Sequence, residues 1–473
     1  MKFSEYTNYD AIGLADLVRR KQVSATELLD TAINRINSSN TYINAVVQNL
    51  EPYARKQIKH ALNDGIFTGV PFLLKDTGIN LKGVTTSNGS HFIDRKPAAR
   101  NSTLTDYYLK SGLVIFGKTN TPEYAISGST ESKALGKCHN PWDLTRSTGG
   151  SSGGAAAAVA MGYAPMAHAS DGGGSIRNPS SNCGVFGLKP TRGRVVSGPE
   201  TYQGVGGMSE HHTITRSVRD SAAVLDATCA QRGMSCVDQT GKLSFLGAIK
   251  QPIKPLRIAF HLDAHHSINI DPECHRATLS AAKLCEDLGH TVEEVKPNID
   301  GIMAMKACAI LWKVSAAQCI EDTARALGRA PKHGETEWIT QLLAKEGADI
   351  KATDYAEAIN TMHHIGHKLI TFFKQYDVVL SPVLSQPPWL LDVYENKYTD
   401  TQTYFETVFA YSPFCWPYNM SGQPAMSVPL YWTNYNLPIG VQFAGRYGDE
   451  ATLFSLARQL EIARPWFNRR PHI

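Results

Sequence analysis

Lys75, Ser151 and Ser175 supply one amine and two hydroxyls in glycine-rich or apolar surroundings. That set suits acyl transfer through a serine nucleophile and an amine base without a histidine. Ser175 stands in Ser170-Asp-Gly-Gly-Gly-Ser-Ile-Arg-Asn-Pro179, where three successive glycines leave the preceding amides without side-chain cover. Preorganised backbone donors beside a nucleophile stabilise the oxyanion of a tetrahedral intermediate, by about 3 kcal/mol for a good donor. The plainer reading is a glycine turn after the small-residue strand Tyr163–Ala169. A lipase-type nucleophile elbow is excluded, because Arg177 stands two residues after Ser175 where that turn requires glycine.

Ser151 and Ser152 lie among four glycines in the segment 146–155. A flexible linker would stay polar on both sides, whereas this one runs directly into Ala155–Ala160, a strong helix former. A phosphate-binding loop would need Lys-Ser/Thr after the glycines, and none follows. Lys75 closes the apolar, strand-like run Gly69-Val-Pro-Phe-Leu-Leu-Lys. Burial there would disfavour its ammonium form and make it a base near neutral pH. A lysine snorkelling from a strand end, or paired with Asp76, is the competing reading.

The elements that must hold these groups read as alternating helix and strand. Ala11–Val18 has helical spacing, and Ser24-Ala-Thr-Glu27 forms a capping box opening a helix from Leu28 to Ile36. Leu256–Phe260 reads as a strand, Pro272–Leu288 as an amphipathic helix and Thr291–Val295 as a strand, an α/β alternation. Residues 301–375 have helical spacing, and Tyr376–Pro382 should bring a strand back into the sheet. There is no internal repeat. The 473 residues, 42% hydrophobic and 19% charged, suit a large soluble enzyme, and the formal charge of +4 without a dense basic run gives no reason to invoke nucleic acid. No run approaches the roughly 20 apolar residues of a membrane span, and Met1–Tyr6 lacks a signal peptide's apolar stretch. Nine cysteines without a Cys-x-x-Cys framework fit reduced thiols, so the expected location is the cytoplasm.

The quoted motifs resemble those of the amidase signature family: Gly-Gly-Ser-Ser-Gly-Gly at 149–154, Asp-Gly-Gly-Gly-Ser-Ile-Arg at 171–177 and Cys183-Gly-Val-Phe-Gly-Leu-Lys-Pro-Thr191. The likeness continues through Gly117–Glu123, Asn140-Pro-Trp142, Ser421–Pro429 and Pro438–Gly445, nearly the whole chain. It implies an α/β fold with a central mixed, twisted β-sheet covered on both faces by α-helices. The whole chain, 1–473, would form a single amidase domain: N-terminal helices in 1–65, signature core in 66–245, an α/β and helical insertion in 246–375 and a return to the core in 376–473. The resemblance implies Ser175 as nucleophile, Ser151 as a bridging serine after a cis peptide bond from Gly150, and Lys75 as base. It further implies an oxyanion hole from the amides of Gly172, Gly173, Gly174 and Ser175, with Ser152, Asp171 and Arg177 in support. Where Gly172 stands the family commonly has Thr or a branched residue, a departure expected to loosen the loop.

The activity implied is hydrolysis of a carboxamide or secondary amide through an acyl-enzyme, with no cofactor and no metal. The chain resembles the branch holding acylamidases and the 6-aminohexanoate-cyclic-dimer hydrolase. A glutaminase subunit of a tRNA-dependent amidotransferase is the alternative, although 301–375 does not resemble that subunit's segment. An inactive amidase-like binding protein is the reading from another class, and it would predict a broken triad. The expected partner is a small-molecule amide, with no nucleic acid and no membrane and a homodimer left open. Ile126, Ser127, Ser129, Trp312, Phe414 and Trp416, with Trp338, Phe409 and Tyr411, are the candidates for a substrate pocket. Two decoys are set aside. Ser280-Ala-Ala-Lys283 has penicillin-binding spacing but lies in an amphipathic helix with no Lys-Thr-Gly, and His363 with His367 lacks a zincin glutamate.

Overall fold

The computed structural model describes residues 3–60, 62–229, 244–393 and 398–471. Eleven strands form one mixed sheet. In chain order they are β1 (Val46–Asn49), β2 (Pro71–Lys75), β3 (Val114–Thr119), β4 (Met166–Asp171), β5 (Phe186–Lys189), β6 (Glu210–Thr215), β7 (Arg257–Phe260), β8 (Thr291–Glu294), β9 (Val378–Pro382), β10 (Ala425–Trp432) and β11 (Pro438–Gly445). Across the sheet the order is β1, β3, β2, β4, β6, β5, β10, β11, β9, β7, β8. Strands from both ends of the sequence therefore share one hydrogen-bonded layer, and β9 re-enters it between β11 and β7 as its apolar run predicts.

Alternation along the strands feeds two cores. Ile258, Leu380, Met426 and Phe443 join one apolar cluster, while their neighbours Ala259, Val379, Ala425 and Ala444 join another. Successive strand residues point to opposite faces, so the two clusters lie on the two sides of the sheet. Helices Ala25–Ile43, Gly153–Ala160, Val218–Thr228, Pro272–Asp287 and Glu450–Ala463 bury residues in the first. Gly301–Leu327, Trp338–Ala348, Ala352–Phe372 and Thr401–Tyr411 bury theirs in the second.

The capping box at Ser24 and Glu27 is formed, and its helix runs past the expected Ile36 to Ile43, where Asn44 closes it at φ 54°. Residues 301–375 divide into three helices, the first stopped by Gly328 at φ 67°. Gly301–Leu327 corrects one expectation, since by length and composition it could cross a membrane. Ile302, Met303, Ile310, Val314 and Ile320 make it apolar beyond the buried stripe of Ala304, Ala307, Cys308 and Leu311 that packs into the second core. Lys283 of the penicillin-binding-like motif is exposed and paired with Asp287 at 2.9 Å, and His363 and His367 are exposed on their helix.

β2 and β4 are parallel neighbours through Leu73 and Ala167. Their C-terminal ends, Lys75 and Asp171, therefore open at the same edge of the sheet, where α/β folds place ligands.

Candidate functional site

Lys75 is fully buried at the end of β2. Its Nζ lies 2.7 Å from Ser151 Oγ, 3.0 Å from Ser152 Oγ and 3.1 Å from Ser170 Oγ. Burial lowers the Lys75 pKa from 10.5 to about 7, with the Asp171 carboxylate pulling in the opposite direction. An amine balanced between its two protonation states can take a proton from a hydroxyl and return it. The sequence reading did not assign Ser170 a role. The two-residue period of β4 was its signal, because His168 and Ser170 share the face turned to Lys75.

Ser151 follows a cis peptide bond from Gly150 and is buried just before the all-buried helix Gly153–Ala160. Ser175 is half-buried, and its carbonyl accepts from the Ser152 N–H at 3.3 Å. Both serines line one cavity of about 400 Å³, together with Ser170, Gly172, His211 and Trp312. That is within the size range of small-molecule sites. Ser175 also borders a narrow slot of about 40 Å³ walled by Gly150, Gly173, Trp312, Tyr404, Phe409, Tyr411 and Trp416.

The loop ahead of Ser175 is held from inside. Asp171 pairs with Arg177 at 2.9 Å, both fully buried. Burial alone would raise the Asp171 pKa, but the Arg177 guanidinium and the hydrogen bonds from Arg177 and Asn419 hold it well below the carboxylate range. Arg177 spends its remaining donors on Cys415 O, Gln442 Oε1 and Asn419 Oδ1 at 2.9, 2.8 and 2.6 Å. A charged hydrogen-bond network of this kind fixes the loop it crosses. Gln442 lies in the family-like segment Pro438–Gly445, but neither its part nor that of Asn419 is visible until distant strands meet.

Asp171 also engages one of the amides expected in the oxyanion hole. Gly174 N–H donates to Asp171 Oδ1 at 2.7 Å, so it is spent inside the loop. Gly172 and Ser175 line the wide cavity, and Gly173 and Ser175 line the slot. Gly174 has φ 128°, a conformation other residues rarely adopt, which accounts for the glycine there. Gly172 has a different reason. A Cβ on it would lie 3.3 Å from the Trp312 ring, so the indole occupies the space a threonine would need, and the expected loosening is instead close packing.

Ile126, Ser127, Trp312 and Trp416, with Phe409 and Tyr411, reach the slot. Three candidates do not line either space. Ser129 is buried behind the wall, bonded to Ser147 Oγ at 2.6 Å and to Glu131. Phe414 is buried against His261, its carbonyl accepting from Gln442. Trp338 is exposed and packs on Tyr398. Aromatic residue type marks both core and pocket, so sequence could not separate them.

Two histidines were also missed. His168 lies fully buried beneath Lys75, accepting the Lys75 backbone N–H at its Nδ1 at 3.3 Å, and its Nε2 lies 3.0 Å from His211 Nδ1. Burial pushes the His168 pKa well below its ordinary value, and burial with the Lys75 charge lowers that of His211 to about 4.

The sequence model of the family described as amidase matches residues 27–454. The 6-aminohexanoate-cyclic-dimer hydrolase of Paenarthrobacter ureafaciens is 34% identical over 481 residues, covering 98% of this chain and 96% of that protein. An acylamidase of Rhodococcus erythropolis is 31% identical, covering 98% and 96%. A solved structure of 6-aminohexanoate cyclic dimer hydrolase matches with a TM-score of 0.92 at 32% identity, over 98% of this chain and 99% of that one.

Proposed function

This chain belongs to the amidase family and hydrolyses amide C–N bonds, and we propose that it does so with Ser175 as nucleophile, Ser151 as proton relay and Lys75 as base. The observation that carries the assignment is the contact of 2.7 Å between a buried amine of pKa about 7 and Ser151, in the wall of the cavity that also holds Ser175.

Neutral Lys75 takes the Ser151 proton while Ser151 takes that of Ser175, whose Oγ attacks the amide carbonyl carbon. The N–H groups of Gly172, Gly173 and Ser175 meet the charge on the former carbonyl oxygen. Collapse breaks the C–N bond, and the proton returns through Ser151 to the departing nitrogen. Water then attacks the Ser175 ester by the same relay, releasing the acid and the free serine.

Ser151 lines the wide cavity and not the slot. The amine that receives its proton therefore leaves on the wide side, and the acyl group occupies the slot. With one water needing about 10–15 Å³, a slot of about 40 Å³ admits an acyl chain of only a few heavy atoms. Its aromatic walls favour an apolar one. The same walls weigh against the glutaminase reading, because no charged side chain among the described residues lines the slot to meet the ammonium and carboxylate on glutamine's acyl side. The inactive-scaffold reading loses its support because the three side chains are present around one connected site.

A cytoplasmic enzyme acting on small amides, without nucleic acid or membrane and as a monomer or homodimer, is part of the same proposal. It rests on the small net charge and on the free thiols of eight described cysteines. The test is ammonia and amine release by wild type and Ser175→Ala across glutamine, short aliphatic amides, anilides, long-chain amides and cyclic amides. Serine-dependent turnover of short-acyl amides is expected. Turnover of glutamine alone would favour the amidotransferase subunit.

A further inference from the structure

Antiparallel pairing of β6 with β4 sets His211 opposite Ser170 and Thr213 opposite His168. Residues opposite or two apart on paired strands share a face, so His211 stands beside the Ser170 that Lys75 Nζ touches. Its ring is nearly parallel to that of His168, at an interplanar angle of 14° with centroids 5.3 Å apart.

The hydrogen positions in this pair are fixed by what Lys75 can do. A backbone N–H only donates, so His168 Nδ1 accepts and carries no hydrogen. Being neutral, His168 has its one hydrogen on Nε2 and donates it to His211 Nδ1. His211, neutral as well, must then carry its hydrogen on Nε2. That atom has no hydrogen-bond partner among the described residues.

His211 also lies at a junction. It lines the wide cavity and a second space of about 500 Å³, which share Gly78, Val196, Ser197 and Thr201 as well. By the proposed mechanism this is the path of the leaving amine.

We infer that His211 is a specificity residue for the amine half of the substrate, its Nε2–H donating to a carbonyl oxygen carried on that half beyond the scissile nitrogen. This rests on the proposed function, which assigns the wide side to the amine. His168 is a positioning residue, holding the tautomer that turns His211 into a donor. The preferred substrates are then short-acyl amides of extended amines that bear a second carbonyl, as in a peptide-like or oligoamide chain.

The test uses two series of N-acetyl amines of matched length, one carrying a single carbonyl oxygen at increasing distance from the scissile nitrogen and the other purely alkyl. Wild type should favour the carbonyl series at one or two chain lengths by about threefold to tenfold in kcat/KM, mainly through KM, the range of one net hydrogen bond. His211→Ala should bring that ratio close to one, and His211→Gln, which keeps a donor, should restore part of it. A structural role for His211 would lower both series together and leave the ratio unchanged. An unchanged ratio in His211→Ala, or no preference at any length in wild type, overturns the inference while leaving serine-dependent hydrolysis intact. Failure to hydrolyse either series overturns the underlying reading and the inference with it.

Discussion

Acidifying the assay through neutral pH protonates Lys75, and the structure sets both where this happens and how steep the effect is. An amine left at its ordinary 10.5 would be neutral in only about one molecule in three thousand at pH 7, whereas one lowered to about 7 is neutral in about half. Burial thus multiplies the reactive fraction by roughly a thousand. Because the neutral form is the base, kcat/KM should climb with pH, reach half its maximum near pH 7 and level off above. Below that point it should fall about tenfold per unit, to about one-hundredth of the plateau at about pH 5. The assay is initial-rate hydrolysis of one short-acyl amide at concentrations well below KM, with folding followed by circular dichroism at each pH. Glu210 needs a control, since burial raises its pKa and it lines the same cavity. Glu210→Gln should keep the limb if Lys75 is its source. His211, at about 4, and His168, well below its ordinary value, lie too low to contribute. A profile flat across this range, or a limb centred near 10, would refute the reasoning.

Asp171→Ala should lower stability by about 3–5 kcal/mol, read as a drop in denaturation midpoint, because Arg177 would be left charged and unpaired in the core. Gly154→Ala should cost about 1–3 kcal/mol in the same measurement, since the added methyl would meet the Asn120 backbone nitrogen at 2.3 Å. Phe409→Ala widens the slot and should raise the ratio of hexanoyl to acetyl amide turnover, a ratio that does not depend on how much of the variant is folded.

Local chemistry was legible in the sequence where it is written in adjacent residues. The apolar run ending at Lys75, the helix that opens after the glycines around Ser151 and the Ser24 capping box each declare themselves within ten residues, and each forms as read. Contacts between remote segments were not legible. Arg177 finds Asn419 242 residues away, and the Lys75 backbone finds His168 93 residues away. Hydrogen-bond allocation was hidden for a related reason, since three glycines in a row offer equivalent amides until Asp171 takes the one on Gly174. Buried aromatics divide between slot and core according to tertiary packing, which separates Phe409 from Phe414 although both are apolar rings in one segment.

The central claim is that Ser175 carries the acyl group. It is tested most directly by quenching the enzyme during turnover of a short-acyl amide and determining intact mass, followed by peptide mapping. The account predicts an adduct of the acyl mass on the peptide containing Ser175, absent in Ser175→Ala, which should also be inactive. An acyl group on another residue, or undiminished hydrolysis by Ser175→Ala, would contradict it.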